Sequence, residues 1–164
     1  MASTVSAATL SVTVSEKITL NGVSRNGSTT LSVGSIREIS SRIINVTNSS
    51  GGTTLVSVAA SAALVGPGKY DKTSVKYLRI TNLDDTNFIT VMFTDGDGAG
   101  SGSHNWQLKL EAGKSVLLGD LSSIDAHNDI DDGAAVVVSG QTLNNILALA
   151  NTAAVDVELY IAST

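Results

Sequence analysis

Apolar residues recur at every second position along much of this chain, the spacing of half-buried β-strands. Leu10, Val12, Val14, Ile18 and Leu20 all fall on even positions, with Ser11, Thr13 and Thr19 between them. This predicts a strand bent near Glu16 and Lys17. Asn21-Gly22 and Asn26-Gly27 follow. Asn-Gly is a strong hairpin signal, because both residues tolerate positive φ. Residues 29–33 are the expected return strand. Residues 35–46 fit two patterns. Ile36, Ile39 and Ile43 would share a helical face, whereas Arg42, Ile44 and Val46 alternate with Ile43 and Asn45. The alternation favours a strand from about Ser41, after a turn.

Residues 54–65, rich in Val, Ala and Ser, predict a further strand that ends at Gly66-Pro67-Gly68. Beyond it, Lys76, Leu78 and Ile80 alternate with Val75, Tyr77 and Arg79, and Asn82-Leu83-Asp84-Asp85 reads as a turn. Residues 88–93, 105–110, 115–118, 134–138, 146–150 and 155–161 complete the expected strands. In the last of these, Val155, Val157, Leu159 and Ile161 face one way, and Asp156, Glu158 and Tyr160 face the other. Roughly nine or ten short strands, with turn signals about every ten residues, predict an all-β chain: an antiparallel β-sandwich, jelly-roll-like, with an N-terminal hairpin or arm. One domain over residues 1–164 is expected, with residues 1–50 as the arm used in assembly and 54–164 as the compact sandwich.

Composition narrows the chemistry. A chain of 164 residues buries about 70% of its unfolded surface and needs no disulfide or metal to fold. The absence of Cys excludes disulfide frameworks, thiolate metal sites and Cys nucleophiles. Aromatics make up 4% and charged residues 15%, so the core is built from Val, Ile, Leu and Ala. Low charge with a mean hydropathy of +0.21 fits a surface partly buried against copies of itself or a partner. The start, MASTVSAATL, lacks the basic and apolar segments of a signal peptide. No apolar run is long enough to span a membrane.

The net charge of −5 is unevenly spread. Residues 1–82 hold 8 Lys/Arg and 3 Asp/Glu, and residues 83–164 hold 2 Lys/Arg and 12 Asp/Glu. If the fold keeps these halves apart, head-to-tail contacts between copies are favoured electrostatically. No basic cluster is dense enough to point to nucleic acid.

Each candidate site has a plainer role beside it. Asp95 and Asp97, on the Gly-rich run DGDGAGSGS, supply hard oxygen ligands for calcium but lack the rest of an EF-hand loop. Asp129 and Asp131, near His127, are a second weak metal candidate in a run that otherwise reads as a solvated acidic loop. His104 and His127 are the only histidines, and no Ser sits in a G-x-S-x-G elbow. The chain is therefore expected to be non-enzymatic and to need no cofactor. Trp106 with Tyr70, Tyr77 and Tyr160 would suit a sugar-stacking platform, although dispersed aromatics more often mark core or interface positions.

Four segments carry a family resemblance: TVSEKITLNGVSRNGSTTLSV at 13–33, KYLRITNLDDTNFITV at 76–91, LKLEAGKSVLL at 108–118 and LALANTAAVDVELYIAS at 147–163. Together they resemble small β-sandwich proteins of tailed-bacteriophage structural modules, especially those of marine phages. The shared motifs are turns and strands without catalytic content. The resemblance implies a virion structural protein, with a capsid decoration or cement protein as first choice. A tail, neck or fibre-adaptor component is the alternative, followed by a receptor- or carbohydrate-binding tip. The implied partners are the chain itself, with a trimer favoured, and the phage major capsid protein or tail proteins; neither nucleic acid nor membrane is expected. The implied location is the virion, assembled in the host cytoplasm. The expected assembly strand carries Leu10, Val12, Val14, Ile18 and Leu20.

Overall fold

A computed structural model describes residues 5–59, 68–94, 105–123 and 143–164. The N-terminal strands are β1 (Ala8–Glu16), β2 (Thr19–Leu20), β3 (Val23–Ser24) and β4 (Gly27–Ile36). The remaining strands are β5 (Glu38–Val46), β6 (Thr53–Ala59), β7 (Lys69–Asp71), β8 (Val75–Asn82), β9 (Ile89–Thr94), β10 (Asn105–Leu110), β11 (Ser115–Leu118), β12 (Asn145–Ala150) and β13 (Val155–Ser163). Among the described residues there is no α-helix, and the chain is an all-β sandwich as its periodicity predicts.

One layer is a four-stranded antiparallel sheet in the order β11-β8-β13-β5. The other is a five-stranded sheet, β10-β9-β12-β6-β7, antiparallel except for the β6–β7 pair. Alternation decides which side chains meet between the layers. Leu78 and Ile80 of β8 and Val157, Leu159 and Ile161 of β13 meet Ile89, Val91 and Phe93 of β9 and Ile146 of β12 in one buried cluster. A bulge at Leu55 lets both Leu55 and Val56 of β6 reach that core, because two β6 residues stand against one step of β12.

The strand expected from Ser41 begins earlier, at Glu38, and the helical alternative for residues 35–46 is not adopted. The turn expected before it is reduced to Arg37 between β4 and β5. Strand β7 goes beyond the strands the sequence predicts; its three residues alternate about buried Tyr70 but are too few to mark a strand. The expected strand at 134–138 and most of the acidic stretch after Asp120 lie outside the described residues.

The N-terminal strands form a separate arm. β1 and β4 pair from Ala8↔Ile36 to Glu16↔Gly27, and β2 and β3 pair at the tip. Asn21 and Gly22 both have positive φ, 50° and 76°, and make the two-residue turn that the Asn-Gly pair predicts. A side chain bridges the bend near Lys17: the backbone N–H of Ile18 donates to Asn26 Oδ1 at 3.1 Å, and that of Arg25 donates to the Ile18 carbonyl at 2.8 Å. The arm ends at Ile36, earlier than the expected limit near residue 50. The residues from Glu38 onward pair with β13 inside the sandwich.

Asn82 ties one end of the sandwich together. It is fully buried at the end of β8. Its Nδ2 donates to the carbonyls of Asn87 at 2.9 Å and Leu110 at 3.2 Å, while Oδ1 accepts from the Asp84 N–H at 3.0 Å. One side chain thus joins β8, the 83–88 turn and the end of β10. Asn82→Ala would take the donor from the buried Leu110 carbonyl and the part-buried Asn87 carbonyl, which costs about 2 kcal/mol. Urea denaturation checks this, and a loss below about 0.5 kcal/mol would remove Asn82 from this role.

Candidate assembly surface

The arm is amphipathic by alternation. On one face Thr13 pairs with Thr30 at 3.0 Å and Ser15 with Ser28 at 3.2 Å through their hydroxyls. On the other face lie Leu10, Val12, Val14, Leu31 and Val33. The base of this apolar face rests on the outer surface of the four-stranded sheet. Leu10, Val12 and Val33 pack with Ile36 on Tyr77, Tyr160 and Ala162 in a second, smaller core. Tyr77 and Tyr160 meet edge to face, with ring centroids 6.1 Å apart. Burial under the arm raises the Tyr77 hydroxyl pKa above its ordinary value, against a smaller opposing effect from Arg79. Beside the tyrosines, Arg79 Nη2 donates to Glu158 at 2.5 Å, and its guanidinium lies 5.7 Å from the Tyr160 ring centre. The Arg79 charge is therefore already matched within the chain.

The arm crosses the sheet on a diagonal. Leu10 and Val12 share a cavity with Tyr77, Arg79 and Tyr160 of β8 and β13. Further along, Val14 and Leu31 face Leu117, Leu118 and Gly119 at the β11 edge across an apolar groove of about 200 Å³. Beyond that edge no described residue outside the arm packs against it. Every residue from 13 to 32 is exposed, including Val14, Ile18, Leu20, Val23 and Leu31. The expected assembly residues therefore divide: Leu10 and Val12 are half-buried against the chain's own sandwich, Val14 is exposed but lines the groove beside β11, and Ile18 and Leu20 are exposed beyond it.

The same sheet carries uncovered apolar residues near its other edge. Ile39 and Ile43 of β5 point outward and are exposed. Past them lies an open, polar hollow lined by Asn45, Asp84, Asp85 and Asp156. Asp156 accepts from Asn45 Nδ2 at 2.8 Å. Asp84 accepts backbone N–H bonds from Asn87 at 2.6 Å and Thr86 at 2.7 Å, and these hold its pKa below the ordinary value.

Other expected sites fare differently. Asp95, Asp97, Asp129 and Asp131, and both histidines, lie outside the described residues. Among the described residues, no group of three or more acidic or histidine side chains is placed to hold a metal ion. The aromatic residues are not gathered into one platform. Tyr77 and Tyr160 lie under the arm. Trp106 and Tyr70 are at opposite edges of the five-stranded sheet, with Trp106 against Phe93 and Tyr70 buried. No family model, curated protein or solved structure matches this chain.

Asp120 follows β11, next to Gly119 of the arm's groove. It accepts from Lys76 Nζ at 2.8 Å and from the backbone N–H of Ser122 at 2.9 Å, which begins the short 3-10 turn Leu121–Ser123. The hydrogen bond from Lys76 is the largest cause that lowers its pKa to about 2. A depressed carboxyl stabilises the fold fully above the unfolded value near 4 and loses that contribution as pH falls toward about 2. Asp120→Asn should flatten the acid limb of a stability–pH curve across that window. Because the pair is partly exposed, the loss at neutral pH should stay below about 1 kcal/mol. Thermal unfolding at several pH values checks this, and an unchanged acid limb would contradict it.

Proposed function

We propose that this chain is a structural protein of a bacteriophage particle, a capsid decoration protein that binds the shell as an oligomer. The observation that carries the reading is the arm: a two-stranded ribbon whose apolar face continues past the edge of its own sandwich. Two strands alone are marginal in water, so a partner surface that covers the ribbon explains why it is built that way. Support also comes from the resemblance of residues 13–33, 76–91, 108–118 and 147–163 to phage structural proteins, and from the low charge of the chain.

The strand order supports a jelly-roll reading of the sandwich. With β7 set aside and the other strands numbered from β5, one sheet runs first-eighth-third-sixth and the other second-seventh-fourth-fifth. That order follows from a long antiparallel ribbon folded over on itself, with successive strands passing between the sheets except at the β9–β10 hairpin. Such a sandwich is a rigid platform from which an arm can reach a neighbour.

Copy number in purified particles tests the proposal. Quantitative mass spectrometry should find the chain in proportion to the coat protein, in hundreds of copies. Six or twelve copies would move it to the tail or neck, and absence from the particle would overturn the reading.

A further inference from the structure

We infer that the arm docks on a second copy of this chain, its tip crossing from the β11 edge of one sandwich onto the β5 side of the next. This rests on the reading of the arm as an assembly device and names its partner surface. Among the described residues, two sets of exposed apolar side chains bear on this contact. The tip presents Ile18, Leu20 and Val23 at 53%, 59% and 53% exposure, and the outer face of β5 presents Ile39 and Ile43 at 55% and 64%. At the strand rise of about 3.3 Å per residue, the tip extends roughly 20 Å beyond Val14, which is the last contact with β11. That reach spans several strands of an adjoining sheet, spaced about 4.8 Å apart.

Charge favours the same match. The tip carries Lys17 and Arg25 against Glu16, a net positive charge. The hollow beyond Ile43 carries Asp84, Asp85 and Asp156. Among the described residues, none of Lys17, Arg25, Asp84, Asp85 and Asp156 takes part in an ion pair. Opposite potentials therefore stand at the two ends of the proposed contact and set its direction.

Strand direction is also compatible. The four-stranded sheet is antiparallel throughout, so its two edges, β11 and β5, run in opposite directions. Copies related head to tail bring β11 of one beside β5 of the next as an antiparallel pair. The arm then lies over the seam, with its apolar face on Ile39 and Ile43. A contact of this kind uses two different patches, and it closes into a ring when the rotation between copies permits.

The test is a charge-exchange experiment on the full chain, read by sedimentation equilibrium. Wild type should associate with rising concentration. K17E/R25E and D85K/D156K should each weaken association by about tenfold or more, and an equal mixture of the two should restore it. I43S, at an exposed position, should weaken association while circular dichroism and the thermal midpoint stay unchanged. Wild type that remains monomeric at every concentration would overturn arm docking. So would self-association that ignores I43S, or charge variants that mixing does not rescue. In that event particle composition would still decide the phage reading by itself, because copy number in the virion does not depend on which surfaces touch.

Discussion

Strands β8 and β13 are the centre of the four-stranded sheet, and the rest of the molecule depends on their burial from both sides. Toward the five-stranded sheet they place Leu78, Ile80, Val157, Leu159 and Ile161 in the main core. On the opposite side Tyr77 and Ala162 are buried, and Tyr160 packs beside them under the arm. A strand in an ordinary sandwich turns one face to water. Here the outer face supplies the seat that fixes the base of the arm, and the two tyrosines give that seat its shape. Losing the seat would free the arm and leave the sandwich core itself intact, since the two clusters share no buried residue.

The period-two pattern made the strands legible, because it reports which residues share a face. It does not report what covers that face. Residues 10–20 read correctly as a strand leading into an Asn-Gly turn, and the positive φ at Asn21 and Gly22 follows from local chemistry alone. The start of β5 was not legible, because Ile36, Ile39 and Ile43 also fit a helix, and the choice is made by pairing with distant β13. The seat was harder still. Tyr77 and Tyr160 lie on the faces that also carry Arg79 and Glu158, so alternation marks them as solvent-facing. Asn82 reads as a turn residue, and one of its carbonyl partners, Asn87, does lie in that turn; the other, Leu110 at the end of β10, is brought to it only by the fold. The acidic hollow draws on residues 45, 84, 85 and 156, which a sequence scan has no reason to group.

The charge imbalance between the chain's halves takes on meaning only in the fold. Both sheets draw strands from both halves, so among the described residues charges of the two halves meet. Arg79 of the basic half pairs with Glu158 of the acidic half, and Lys76 pairs with Asp120. Among the described residues, the imbalance survives where strands end: at the tip of the arm and around the turn after β8. Those places are separated along the sheet, which gives the molecule a direction.

Edge strands must be covered or disfavoured as templates, or the sheets would pair without limit. β5 is a nine-residue edge strand with exposed isoleucines, a hazard by length and composition. It carries one device against free pairing: Arg42 turns inward, and its Nη2 donates to the Leu55 carbonyl of β6 at 2.7 Å. Its inward charge disfavours repacking of the strand onto an arbitrary partner, and its hydrogen bond joins the two sheets along this side. β11, the opposite edge, is only four residues long. A long edge restrained by an inward, half-buried arginine and a short edge passed by an arm leave little scope for indiscriminate ladder growth. They leave the outer face of β5 open to a partner that brings its own strand pair and a complementary charge, and the arm is the element of this chain that has both.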